Sequence, residues 1–238
     1  MKLLAKLIID NTILRVARYV YVHISKAGLY KTSIHDILWE KAILNSALYV
    51  EKWLSEAMLF SKRETLWDYA LSCVDNNPGT FLEFGVFNGN SINYFSKRCP
   101  NNVFFGFDSF EGLSEDWKGH HSPKGAFNLD GHRPKVNNNV TLIKGWFNNT
   151  IPKFLSETVT NDIIFVHIDG DTYEAAKTVL NGLHKYLNKG VLVLFDEYIG
   201  YPNWENGEYK AWAEYIKENN IRYRYRAFCT NQALIEII

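Results

Sequence analysis

Two short acidic runs, Ile168-Asp169-Gly170-Asp171-Thr172-Tyr173 and Phe195-Asp196-Glu197-Tyr198, each follow an apolar stretch of the chain. Like charges gathered at strand ends repel one another and are costly to desolvate, so a structural role for all four carboxylates requires a cation. If the two strands are neighbours, Asp169, Asp196 and Glu197 can converge on one ion. Oxygen-only ligands suit Mg²⁺, Mn²⁺ or Ca²⁺ rather than zinc or copper. Such an ion can bind a hydroxyl and lower its pKa. Taken singly, each acid could instead cap a helix, the alternative for Asp171. His167 shares a strand face with Asp169 and could reach the same chemistry, or could be a satisfied core histidine.

A second constellation lies upstream. Phe81-Leu82-Glu83-Phe84-Gly85-Val86-Phe87-Asn88-Gly89-Asn90-Ser91 reads as an apolar strand, a glycine turn and a helix start. Gly85 and Gly89 would let the backbone approach a ligand, and Ser91 could open a helix whose first amides favour an anion. The spacing departs from GxGxxG, which weakens a nicotinamide or flavin reading. Glu83, buried just before the strand end, is costly as filler. About 20 residues on, Val103 to Phe107 ends in Asp108-Ser109, where an acid can accept from ribose hydroxyls. An adenosine-bearing ligand follows, with a plain turn or cap role as the alternative for Asp108.

Lesser features surround these. Lys144-Gly145-Trp146-Phe147 could lay an aromatic ring over adenine or simply pack in the core. Tyr198, Tyr201, Pro202, Trp204 and Glu205 could wall a carbohydrate site or form a packed loop. The segment from Ser109 to Asn139, with Trp117, His120, His121, Phe127, Asp130, His132 and Arg133, is too long for a simple connection and reads as an active-site cover.

The elements that must position these residues are legible in the pattern. From Ile37 to Val74 the apolar residues recur at helical spacing, which predicts two or three helices before the first strand, closed by Asn76-Asn77-Pro78-Gly79. Strands are expected at 80–84, 103–107, 140–143, 163–168 and 191–195, with helices at 91–97, 150–157, 173–187 and 207–219. This alternation is that of a doubly wound α/β fold with a mostly parallel sheet. Residues 221–228 and 232–238 read as a hairpin, so the sheet should end in an antiparallel strand. The expected organisation is a helical extension over 1–75 and a catalytic domain over 76–238.

Twenty-six basic residues balance twenty-six acidic ones, which leaves no global field to gather nucleic acid. A small-molecule ligand is expected. Cys73, Cys99 and Cys229 lack disulfide-framework or zinc spacing, and no run approaches the length of a membrane span. A cytoplasmic protein is expected. Residues 1–31 hold six basic residues against Asp10, and Leu4, Leu7, Ile8 and Leu14 could form an apolar stripe that packs on the domain, on a second subunit or on a membrane surface.

With these residues assembled, the sequence resembles the macrocin O-methyltransferase family, whose members methylate sugar hydroxyls of natural products. The stretches that carry it are LEFGVFNGNSINY (82–94), GFDSFEGLSEDW (106–117), GWFNNTIP (145–152), HIDGDTY (167–173) and VLVLFDEY (191–198). The resemblance implies S-adenosylmethionine, Mg²⁺ or another divalent cation, a seven-stranded sheet and a homo-oligomer. It implies that Glu83, Gly85, Gly89, Ser91 and Asp108 hold the cofactor, with Phe87, Ser109, Gly145, Trp146 and Asp169 on the same turns. Asp169, Asp196 and Glu197 would hold the metal, and Asp171 or His167 would serve as base. A metal-dependent glycosyltransferase using Asp169-Gly170-Asp171 is the rival reading, and a non-catalytic scaffold a second.

Overall fold

The computed structural model describes residues 14–20, 23, 33–74, 78–158 and 163–238. The chain divides into two compact units, Met1–Lys41 and Ala42–Ile238. In the first, residues 14–20 are helical and exposed. Of the proposed N-terminal stripe only Leu14 falls within the described residues, and it is exposed. Asn76 and Asn77 of the expected break lie outside them.

Helix α1 (Ile34–Glu51) is followed by strand β1 (Met58–Phe60) and helix α2 (Arg63–Cys73). Then come β2 (Thr80–Phe84), α3 (Asn90–Arg98), β3 (Val103–Asp108), β4 (Val140–Lys144), α4 (Phe147–Glu157) and β5 (Ile163–Ile168). The remainder is α5 (Tyr173–Leu183), β6 (Leu192–Phe195), α6 (Glu208–Glu218), β7 (Tyr223–Cys229) and β8 (Gln232–Ile237). The strands form one eight-stranded sheet in the order β1-β7-β8-β6-β5-β2-β3-β4. Chain order runs outward in opposite directions from the β2/β5 pair, and in an open α/β sheet the crevice for a ligand opens at such a reversal, outside the strand ends.

One expectation is corrected. Met58–Phe60, placed in a helical stretch, is an edge strand, because it pairs in parallel with Ala227–Cys229. This makes the sheet eight-stranded rather than seven; three residues are too few to display a period of two. The expected antiparallel hairpin closes the chain as β7 and β8. β8 pairs with β6 on one side and β7 on the other, and its buried Ala233, Leu234 and Ile235 suit a strand enclosed on both faces.

Aromatic rows hold the centre of the sheet rigid. Phe81 stacks on Phe104 at 4.5 Å and lies 5.2 Å from Phe165, while on the other face Phe84 stacks on Phe107 at 4.5 Å. Each such ring, fully buried, contributes about 1.5–3 kcal/mol. Leu66, Trp67 and Ala70 of α2 join this core, so the segment before β2 packs on the sheet within the larger unit.

Candidate active site

Backbone bonds at the sheet's carboxyl edge set the geometry of the site. Gly85 N–H donates to Phe107 O, Asp169 N–H to Phe84 O, Asp196 N–H to Ile168 O and Gly145 N–H to Asp108 O, all at 2.8–3.0 Å. The ends of β3, β2, β5 and β6 are thereby stitched side by side. Above them lies a cavity of about 740 Å³, ample for a cofactor with an acceptor. Of the candidate residues, Gly85, Phe87, Ser91, Asp108, Ser109, Trp146, Asp169, Asp171, Asp196 and Glu197 line it.

Four candidates stand behind the lining rather than in it. Gly89 has φ +81° and precedes α3 as its cap, and Gly145 has φ +141°; both shape turns. Glu83 is 3% exposed and outside the cavity lining, and its two oxygens accept from Ser91 Oγ at 3.0 Å and face His167 Nδ1 at 2.9 Å. His167 is fully buried, with Nε2 3.4 Å from Asp196 Oδ1. Burial alone would lower its pKa. The bonds to Asp196 and Glu83 outweigh burial and hold it well above the ordinary histidine value. From this buried position His167 bridges the ends of β2 and β6.

Asp108 has two tasks at once. Its Oδ2 accepts from Val86 N and Phe87 N, each at 2.8 Å, and its Oδ1 accepts from Phe110 N at 2.6 Å. These bonds tie the β2 turn to the end of β3. The carboxylate still lines the cavity and, with four lone-pair directions, retains acceptor capacity toward a ligand.

The acidic cluster is tighter than the sequence implied, and it is arranged differently. Single ligand atoms of His167, Asp169 and Asp196 lie within 4.8 Å of one another, as do those of Asp169, Asp171 and Glu197. Asp169 is common to both groups, whereas Asp196 and Glu197 fall in separate ones. Asp171 is not the helix cap; that role belongs to Thr172, whose side chain accepts from Ala175 N. Instead Asp171 adopts φ +62°, a conformation costly for a non-glycine residue, with its side chain buried in the site.

Burial, then the charges of Asp196 and Asp108, push Asp171 up to about 8. Burial likewise holds Asp169 and Glu197 well above the usual carboxylate range, reinforced in both by Asp196. Asp196 itself is held below its ordinary value: the cost of burial is overcome by its bond to His167 and by the Gln232 amide that donates to it. Glu197 Oε2 is buried with no hydrogen-bond partner among the described residues. An all-oxygen donor set with an orphaned oxygen fits a hard divalent cation.

The long segment after β3 folds as the expected cover. Gly112, Leu113, Ser114, Trp117, His120 and Phe127 line the cavity, and the cover is tied down where Asn203 Nδ2 donates to Lys118 O. His121, Asp130, His132 and Arg133 do not line it. Of the two readings of Tyr198, Tyr201 and Trp204 the structure gives the packed loop, each ring 4% exposed or less and outside the cavity lining. The rings that do face the cavity are Phe87, Trp67, Trp117, Phe127, Trp146 and Phe147.

Several residues here gave no signal in the sequence. Arg63 and Trp67 enter from α2, and Asn231 from the β7–β8 turn. Glu208, fully buried, accepts from Glu197 N at 3.2 Å. Gln232 was detectable in principle, as a polar residue opening an otherwise apolar strand.

Comparison with known proteins agrees with this architecture. Residues 82–198 match a family model described as a methyltransferase domain. A tetracenomycin-C rhamnosyl 4'-O-methyltransferase of Streptomyces olivaceus is 25% identical over 169 residues, 61% of this chain and 63% of that protein. An uncharacterized protein of Acanthamoeba polyphaga mimivirus is 29% identical over 125 residues, 51% of this chain and 52% of that one. The chain thus spans less than two thirds of the length of these curated relatives. Among solved structures, CalS11, titled a calicheamicin methyltransferase, superposes with a TM-score of 0.57 at 26% identity, over 71% of this chain and 76% of that one. The O-methyltransferase NovP shares the fold, with a TM-score of 0.55 at 18% identity over 71% and 78%. These similarities do not favour a glycosyltransferase. Over residues 82–198 the chain matches a methyltransferase domain, on the class I, Rossmann-like fold that it shares with CalS11.

Proposed function

We propose that this protein is an S-adenosylmethionine-dependent O-methyltransferase acting on a hydroxyl of a sugar or glycosylated natural product. The observation that carries the reading is the convergence, in one cavity, of the Gly85 turn, Asp108 and the carboxylates ending β5 and β6. The two named sugar methyltransferases among the similar proteins support the acceptor class.

In this reading the turn at Gly85–Phe87, with Ser109 and Trp146, binds the cofactor, and Asp108 accepts from its ribose while bracing the turn. Asp169, Asp196 and Glu197 would hold a divalent cation, which when bound supplies a positive charge that favours the ionised form of an acceptor hydroxyl. Methyl transfer from a sulfonium is an in-line displacement, so the protein's part is to align the hydroxyl and remove its proton. Asp171, buried in the site beside Asp169 and Glu197 and raised by burial in the cation-free protein, is the proton acceptor. His167 and Glu83 are positioning residues that hold Asp196. The cover from Ser109 to Asn139 excludes water.

The test is calorimetry with S-adenosylhomocysteine, followed by transfer of labelled methyl groups to sugar nucleotides and glycosides. Absence of S-adenosylhomocysteine binding would refute the proposal. A cytoplasmic location and a homo-oligomeric state belong to the same proposal; no helix among the described residues is long and apolar enough to cross a membrane.

A further inference from the structure

We infer that the outward face of α1 is an isologous interface, on which a second copy of this chain packs its own α1 in the antiparallel sense. The inference gives a surface to the homo-oligomeric state proposed above and rests on that part of the reading alone.

Helix α1 carries apolar residues on every side, and a helix of that kind is covered on every side in a working protein. Its inner face is accounted for. Ala42, Ser46 and Val50 are buried, and Trp53 just beyond the helix packs on Tyr225 at 4.8 Å. On the opposite face Leu44 and Leu48 are 64% and 62% exposed, and Ile34, Ile37, Lys41 and Glu51 are exposed with them. These six residues follow one another at intervals of three, four, three, four and three. That alternation is the seam of a two-helix coiled coil, and it faces no partner among the described residues.

The charges on the seam select what covers it. Lys41, Leu44, Leu48 and Glu51 have the same spacing read in either direction, with a cation at one end and an anion at the other. A twofold axis level with Ser46 therefore sets Leu44 against Leu48 of the second copy and Lys41 against Glu51 of the second copy, each contact made twice. Glu40 and Lys52, beside the seam, exchange about the same axis. Sliding the second helix by one heptad would set Lys41 against Leu44 instead, so the charged ends fix the register. An anionic lipid surface is a poorer match, since Asp36, Glu40, Glu51 and Glu56 outnumber Lys41 and Lys52 along this stretch.

The interface would bear on the cavity through the inner face of the same helix. Ser46 Oγ accepts from Gly200 N at 2.8 Å, and the Tyr49 hydroxyl bonds to that of Tyr225, which bonds in turn to that of Tyr198. Tyr198 and Gly200 come directly after Glu197. The helix that joins two copies is thus the one that fastens the loop after β6.

The experiment is sedimentation velocity on the full chain over a micromolar concentration range at low salt. The parent should be a dimer. Leu48→Glu, at a position exposed in the single copy, should be a monomer with an unchanged circular dichroism spectrum. Lys41→Glu and Glu51→Lys should each weaken the dimer by about tenfold, since each makes both charge contacts repulsive, and the double variant should recover it. If Leu48→Glu fails to fold, the charge exchange still decides. A parent that stays monomeric, alone or while cosedimenting with phosphatidylglycerol vesicles, would overturn the inference and the oligomeric state together. A dimer indifferent to Leu48→Glu and to the charge exchange would overturn this interface and leave the oligomer standing. Neither result touches the methyltransferase reading, which S-adenosylhomocysteine binding tests separately.

Discussion

His167 Nδ1 lies 2.9 Å from Glu83 Oε2, with both side chains buried beneath the cavity floor. The pair joins β2 to β5, and through His167 Nε2 it reaches Asp196 on β6. Replacing His167 by Phe would leave two buried acids uncompensated, at a cost of about 3–5 kcal/mol. The loss should depend on pH. The folded-state pKa of His167 is raised, so its contribution is complete below the unfolded value of about 6.5 and fades as pH climbs through the folded value. The pKa of Asp196 is depressed, so its contribution is present above about 4 and fades as pH falls through its folded value. Urea unfolding of parent and variant should therefore differ most between about pH 5 and 6.5, on those unfolded values. A gap that widens above pH 9 would contradict this.

The other acids act in the opposite sense. Asp169, Asp171 and Glu197 have folded pKa values above their unfolded ones, so each lowers stability increasingly as pH rises from about 4 through its folded value. The cation-free protein should melt at a lower temperature at pH 8.5 than at pH 6. Millimolar Mg²⁺ should raise the melting temperature more at the higher pH. Equal shifts at both pH values would argue against a cation bound by these carboxylates.

Asp171→Asn keeps the size of the side chain and removes its capacity to take a proton. Turnover should fall by about 10²–10⁴ with S-adenosylhomocysteine affinity unchanged, since general-base contributions are of that order. The defect should shrink at high pH, where the hydroxyl ionises unaided. A pH-independent defect would assign Asp171 to geometry alone.

Gly85→Ala is expected to be far more harmful than a methyl group suggests. The added carbon would sit 1.7 Å from Asp169 O, at a residue whose φ is +99°. The strand ends would have to part, costing at least about 3 kcal/mol and displacing Asp169. Thermal unfolding and cofactor titration should both show the loss, whereas a stable variant with intact binding would mean that the β2 and β5 ends are not in contact.

Two tryptophans separate the packed loop from the cavity wall. Trp204→Ala removes a core ring and should cost about 3–5 kcal/mol of stability with little change in acceptor KM. Trp117, stacked on His120 at 3.9 Å, lines the cavity, so Trp117→Ala should raise acceptor KM by a larger factor than it lowers kcat. The reverse pattern would return the acceptor wall to the loop after β6.

The sequence by itself determined the doubly wound strand–helix alternation and the residues that close its strands, because both are written in local chemistry. Apolar runs followed by Gly85, Asp108, Asp169 and Asp196 mark strand ends whatever surrounds them. It could not say which strand ends would touch. Only the pairing of β5 with β2 and β6 brought Glu83, His167 and Asp196 into a buried chain of contacts behind the cavity lining. Met58–Phe60 became a strand because β7 offered an edge, and Tyr201 and Trp204 became core because the cover took the wall. Arg63 reached the cavity across a stretch of chain that no local pattern spans. Partners distant in sequence and burial from all sides are properties of the folded arrangement, and they decide which polar groups are spent on the protein and which are left for a ligand.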